Sequence, residues 1–279
     1  YLGLALQAIG EPKRAIEFYQ KATKITPNNV KLLKLLGIAQ ANIGDHRAAI
    51  PTYKKALEIQ PNCIETHKNL GAAFTAQSSF PDALNHLKIS LQINSKDPET
   101  FFHLGVLSLS QKKHRKAIQY FDKALKINPN YAEAHNNLAI LYKNRRNLKA
   151  AVSECIKAIK INPKYFEALL NFGNILREQN RLDESVIVLN KALSIMHDSP
   201  DVYNSLGVTY LSQRKFKKAI VSFQSAINLK PDFAEPYYNI GMTLKENNNL
   251  KEAITYFRKA IEKRPNYASA YSNMGLAFH

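Results

Sequence analysis

The sequence predicts an all-α fold, a solenoid of stacked 34-residue helix-turn-helix repeats, on three observations. Eight of the ten glycines stand at 3, 37, 71, 105, 173, 207, 241 and 275, spaced by 34 residues, with Ala139 in the one vacant place. Six of the twelve prolines, at 27, 61, 129, 163, 231 and 265, keep the same clock, 24 residues after a glycine or, for Pro163, after Ala139. Between them, apolar and small residues recur at spacings of three and four, the signature of amphipathic helices. Self-similarity held without slippage along a chain marks a repeat array.

With the glycine as position 8, full repeats begin at 30, 64, 98, 132, 166, 200 and 234. Residues 1–29 are the end of an earlier repeat and 268–279 the first helix of a later one, so 1–279 reads as a single array cut from a longer protein. In the repeat 132–165 the first helix carries Leu138 and Tyr142 on one face. A polar NRRN turn follows, and the second helix carries Ala151, Cys155 and Ala158. Each second helix ends near an Asn-Pro or similar element, because Pro cannot continue a helix. Position 20 is small in every repeat (Ala15 through Ala253, once Ser185), and position 27 likewise. Position 24 is bulky (Tyr19, Tyr53, Leu87, Phe121, Leu189, Phe223, Phe257) except at Cys155. Small beside large at fixed offsets lets helix ridges enter grooves. Pro98 and Pro200 suit the first position of a helix. Pro51 falls inside one and is expected to bend it. His67 and His135 take the aromatic core position 4, while His46 and His114 are placed in turns.

Composition bounds the function. Hydrophobic residues are 45% and charged residues 22%, enough to build a core. Two cysteines exclude a disulfide framework, and no run approaches the roughly 18 apolar residues that cross a bilayer. The N-terminal YLGLALQAIG is in-register helix, not a signal peptide. No phosphate-binding glycine loop, nucleophile elbow or paired-histidine metal motif occurs. The expectation is therefore no enzyme activity in these residues, no cofactor, no metal and a cytoplasmic location. The formal charge of +17 keeps polyanions in view until its location is known.

The glycine, alanine and proline pattern resembles the tetratricopeptide repeat family over the whole chain, with no Trp at position 4 as the main departure. The resemblance implies a right-handed superhelix whose first helices line the concave side, with positions 2, 5, 6, 9, 12 and 13 facing inward. Position 6 then reads Leu35, Asn69, His103, Asn137, Asn171, Ser205, Asn239, Asn273. Asn is a poor helix former, so packing does not select it. Its carboxamide matches the N–H and C=O of a peptide group, and a row of such groups can hold an extended chain by its backbone. A solvated spot that any polar residue could fill is the bland alternative. Asn174 adds an amide at position 9. Phe102, Leu170 and Tyr238 at position 5 are candidate apolar anchors, and Lys143 and Arg177 are candidates for selectivity. The six bases and eight acids of the inner set leave it near neutral, so the surplus charge lies on second helices and turns. A nucleic-acid channel would concentrate cations along its path.

The Lys and Asn placement of the family's terminal-carboxylate clamp is absent. The segments AEAHNNLAILYK (132–143), PYYNIGMTLKENNNLKEAITYFRKAI (236–261) and AYSNMG (270–275) are most similar to the repeat array of O-linked N-acetylglucosamine transferases. In that family the Asn row contacts the substrate backbone, which implies the same of Asn69, Asn137, Asn171, Asn239 and Asn273; His103 and Ser205 depart from the row. The expected function is an interaction scaffold that binds extended protein or peptide segments. The alternative is the substrate-recruiting arm of a larger glycosyltransferase or other transferase. A third reading has the basic outer face docking RNA or an anionic membrane.

Overall fold

A computed structural model describes residues 2–277, which form 17 α-helices and no strand. In order these are α1 (Leu2–Ala8), α2 (Pro12–Ile25), α3 (Val30–Asn42), α4 (His46–Ile59), α5 (Ile64–Ala76), α6 (Phe80–Ile93), α7 (Pro98–Ser110) and α8 (His114–Ile127). There follow α9 (Ala132–Asn144), α10 (Leu148–Ile161), α11 (Phe166–Glu178), α12 (Leu182–Ile195), α13 (Pro200–Ser212), α14 (Phe216–Leu229), α15 (Ala234–Glu246), α16 (Leu250–Lys263) and α17 (Ala268–Leu276). Two compact units divide within α9, one running through Ala134 and the other starting at His135. Each is a right-handed α-solenoid of helix-turn-helix repeats, the fold class the sequence predicts.

Second helices bury one stripe. In α8 this is Ala117, Phe121 and Ala124, spaced four and three apart. First helices are covered on more sides, and α5 buries Thr66, His67, Lys68, Leu70, Gly71, Ala73, Phe74 and Thr75. Seven of the eight position-8 glycines, all but Gly275, have a steric reason. A Cβ on Gly37 would lie 2.4 Å from the Tyr53 ring, and one on Gly207 would lie 2.4 Å from the Phe223 ring. Position 24 of the same repeat fills the space the glycine leaves. Where Ala139 replaces glycine, the small Cys155 joins it in one fully buried cluster with Ala151 and Ile175. Burial pushes the Cys155 thiol up to about 12, with Glu154 adding to it, so it acts as an inert core group.

Every described hairpin turns through a left-handed residue. Gly10 and Gly44 have φ 81°, and Ser78, Lys112, Arg146, Asn180, Arg214 and Asn248 have φ between 57° and 60°. The following N–H closes back on the first helix, as in Lys113 to the Ser108 carbonyl at 2.8 Å and Asn249 to Leu244 at 2.8 Å. That six-residue closure is what ends each first helix. Pro98 and Pro200 open α7 and α13, and Pro51 lies inside a continuous α4. His46 and His114 are the first residues of α4 and α8 rather than turn residues. The left-handed residue that makes the turn comes two places earlier. His67 and His135 are buried as core residues. His67 Nε2 lies 2.8 Å from the Pro61 carbonyl, and the Tyr237 hydroxyl donates to the Pro231 carbonyl at 3.1 Å. At these two position-4 sites a ring with a polar tip satisfies the carbonyl six residues earlier.

Candidate functional site

In the unit from His135, position 6 supplies Asn137, Asn171, Ser205, Asn239 and Asn273 from α9, α11, α13, α15 and α17. Four of the five are half-buried; Ser205 is buried at 9% exposure. Consecutive repeats are stitched through this row. Asn171 Nδ2 donates to Asn136 Oδ1 at 3.0 Å, and Asn239 Nδ2 donates to Asn204 Oδ1 at 2.9 Å. Asn273 Nδ2 donates to the Tyr238 hydroxyl at 3.1 Å. In each pair a position-6 amide reaches position 5 of the preceding repeat. Leu170 offers no acceptor there, and the residue facing it in register is the short Ser205.

The stitch uses some of the amide capacity and fixes the orientation of the rest. Asn171 and Asn239 each spend one amide hydrogen on these bonds, and their carbonyl oxygens and second hydrogens take no part in them. Asn273 is more heavily committed. It also donates to the Ser269 carbonyl at 3.1 Å and accepts from Lys245 Nζ at 3.0 Å. Asn174 is half-buried, one turn along α11 from Asn171.

The cations divide by partner. Lys143 pairs with Glu178 at 3.0 Å. Arg177 is half-buried, and its Nε is fully buried with no hydrogen-bond partner. Burial lowers the guanidinium pKa, against the opposing pull of the Glu178 charge. Tyr238 packs against Phe257 and Tyr267, with ring centroids at 5.8 and 5.0 Å. In the other unit Phe102 makes the same arrangement with Phe121 and Tyr131, at 5.6 and 4.9 Å. These position-5 rings are half-buried and held by the core.

In the unit through Ala134, the row comprises Asn69 on α5 and His103 on α7, both half-buried. Burial holds the His103 imidazole down to about 4, and the Lys68 charge adds to it while Glu99 and Asp97 oppose it. His103 is therefore neutral at physiological pH and presents one donor and one acceptor, as an amide does. The unfolded chain binds this proton near pH 6.5 and the folded chain near pH 4, so stability is lost as pH falls through that window. Replacing His103 with Asn should make the fall in stability from pH 7 to pH 4.5 smaller by about 2 kcal/mol, measured by urea unfolding at both pH values. Equal losses in parent and variant would show that the ring is solvated.

Sequence reasoning missed the position-5 partners Asn136 and Asn204. The signal was available as polar residues at position 5 (Lys34, Asn136, Asn204, Tyr238) 35 residues before four of the five row asparagines, Asn137 with Phe102 being the exception. It also missed that Lys34 pairs with Glu65, and Lys68 with Asp97 and Glu99. Position-5 lysines therefore serve the next repeat's position-2 acid.

Tetratricopeptide repeat models match residues 2–29, 31–63, 98–131, 120–153, 154–186 and 234–267, and a TPR repeat model matches 173–214 and 209–248. The chain belongs to the tetratricopeptide repeat family. None of the curated proteins matches this TPR chain in sequence. Among solved structures it is similar to that of the APC/C hetero-tetramer Cut9–Hcn1, with TM-score 0.76 and 13% identity over 99% of the chain. It spans 55% of that protein's length. A tetratricopeptide repeat protein from Parabacteroides merdae ATCC 43184 matches with TM-score 0.64 and 20% identity, covering 90% of this chain and 99% of that one. YrrB, a TPR protein with an unusual peptide-binding site, matches with TM-score 0.54 and 19% identity, covering 67% of this chain and 96% of that one. At these identities the likeness shows the fold. TPR proteins generally mediate protein–protein interaction, and no helix among the described residues is long and apolar enough to cross a membrane.

Proposed function

We propose that this chain is an interaction scaffold that binds extended polypeptide segments along the first helices through backbone hydrogen bonds to the asparagine row. The observation that carries the reading is the pair of stitched amides, Asn171 and Asn239. Each is half-buried and anchored by one N–H, with a carbonyl oxygen and a second N–H outside the stitch. Pre-orientation of that kind lowers the entropy a ligand must overcome. A protein partner is favoured over nucleic acid because four of the six cations of the inner set are spoken for. Lys34, Lys68 and Lys143 pair with acids, and Lys245 bonds Asn273. The peptide-binding site named for YrrB supports the same class of partner. The array is taken as one continuous, cytoplasmic domain. Its sequence resemblance to the O-linked N-acetylglucosamine transferase array supports the alternative of a recruiting arm for a transferase elsewhere in the polypeptide.

The test is to select extended peptides from a random library on the intact chain and compare their affinity for the parent with that for Asn137, Asn171 and Asn239 changed together to Ala. A loss of tenfold or more is expected. The melting point should move little, because Ala regains helix propensity of roughly 0.5 kcal/mol per site against part-buried bonds of about 1 kcal/mol. Unaltered affinity for the selected peptides would reject the row as the binding element.

A further inference from the structure

The most anomalous polar group outside the stitch is Arg177. A guanidinium carries five N–H donors and finds a carboxylate or a carbonyl whenever it is taken out of water. Arg177 is half-buried, makes no ion pair within 4.0 Å among the described residues, and keeps its Nε–H buried without an acceptor there. A buried donor left unpaired costs free energy in the unliganded fold. The acid next to it does not relieve the deficit, because Glu178 is held by Lys143 at 3.0 Å. Beside this pair lies a cavity of about 570 Å³ lined by Lys143, Asn144, Arg146, Leu148 and Glu178. Among the described residues Arg146 forms no ion pair either, and its left-handed backbone (φ 59°) fixes it in the turn that borders the cavity. Lys143, Arg146 and Arg177 thus share one acid, in a family of first-helix faces where Lys34, Lys68 and Lys245 all have partners.

Resting on the reading of the asparagine row as a polypeptide-binding surface, we propose that Arg177 is the seat for an Asp or Glu side chain of the bound segment. Lys143 and Arg146 set the local field that favours that acid over its amide. Asn171 and Asn174 lie six and three residues before Arg177 on α11, so a backbone held by the amides brings a side chain within reach of the guanidinium. The ligand class is therefore an extended segment with an acidic residue in register with the repeat 166–199. Its carboxylate accepts first from the Nη–H groups, and a turn of the guanidinium that uncovers the Nε–H completes the bidentate geometry that arginine offers and lysine does not.

The test follows the Arg177 Nε–H resonance by ¹H–¹⁵N NMR on the intact chain, assigned by its loss in Arg177→Lys. The probes are a blocked Ala-Ser-Glu-Ser-Ala peptide and its Gln counterpart. A saturable shift with the Glu peptide, at least fivefold weaker with the Gln peptide, is expected. No shift, or equal shifts with both, overturns the proposal. The variant Arg177→Leu keeps the apolar stem and removes the unpaired charge, so its melting temperature should equal or exceed that of the parent. A lower melting temperature would mean that the guanidinium is already satisfied within the fold, and this too overturns the proposal. Failure of the asparagine row is read separately: the Arg177 response to the Glu peptide would then persist unchanged in the variant with Asn137, Asn171 and Asn239 replaced.

Discussion

Cys155→Phe should destabilise the chain by about 2–3 kcal/mol in urea unfolding, and most of that loss should vanish when Ala139 is changed to Gly in the same molecule. Seven glycines at position 8 stand where a Cβ would come within 2.4–2.7 Å of the side chain at position 24, from Gly3 against Tyr19 to Gly241 against Phe257. Only the repeat 132–165 carries a Cβ at position 8, and only there is position 24 as small as cysteine. Both Ala139 and Cys155 are 0% exposed, so there is no solvent side to which a larger ring could turn. A phenyl ring added alone meets the Ala139 methyl, and overpacking of this kind costs about 1–3 kcal/mol. Ala139→Gly alone also destabilises, by about 1 kcal/mol from helix propensity before the buried methyl is counted. Together they recreate the pair that Gly207 and Phe223 already form, so the coupling should be at least about 2 kcal/mol in favour of the double variant. Strictly additive losses would show that the two exceptions are unrelated and that the cavity is shaped by other neighbours.

That pair illustrates what the sequence made legible. The 34-residue phase fixed the helix bounds, because glycine, alanine and proline positions each answer to a steric demand that repeats with the backbone. The described first helices start at 30, 64, 98, 132, 166, 200 and 234, as the phase requires. What escaped the sequence was chemistry between repeats. A hydrogen bond such as Asn171 to Asn136 depends on which position of one helix faces which position of the next, and periodicity alone is silent on that pairing. The left-handed turns escaped for a different reason. Gly10 and Gly44 advertise a positive φ, but Lys112, Arg146 and Arg214 adopt it under the closure of the hairpin, at a local cost of about 1 kcal/mol each. The site was half legible. Residue type named the amides, while only the geometry showed that Asn273 is consumed by its neighbours and that Arg177 is not.

Asp97→Ala should remove about 2–4 kcal/mol, more than any other single carboxylate, because Asp97 does two jobs at one helix start. As the N-cap of α7, its Oδ2 accepts from the Thr100 N–H at 2.8 Å and from the Thr100 hydroxyl at 2.6 Å. Thr100 Oγ1 in turn lies 2.7 Å from Ser90 Oγ, and both residues are 0% exposed. The same carboxylate sits 3.4 Å from Lys68 Nζ, on a side chain that is almost wholly buried. Glu99 also holds that ammonium but is largely exposed, so solvent screens its share. Losing the cap costs about 0.5–2 kcal/mol. Stripping a partner from a buried charge adds to that, since the remaining ion has lost the compensation for its desolvation. Asp97→Asn separates the two contributions. Asparagine caps a helix as well as aspartate does, so Thr100 and Ser90 stay satisfied and only the charge is lost. Lys68→Met removes the ion whose burial needs compensation and should be the mildest of the three. The expected order of destabilisation is therefore Asp97→Ala, Asp97→Asn, Lys68→Met. Equal losses for the two Asp97 variants would assign the whole effect to the ion pair, and α7 would then owe nothing to its cap.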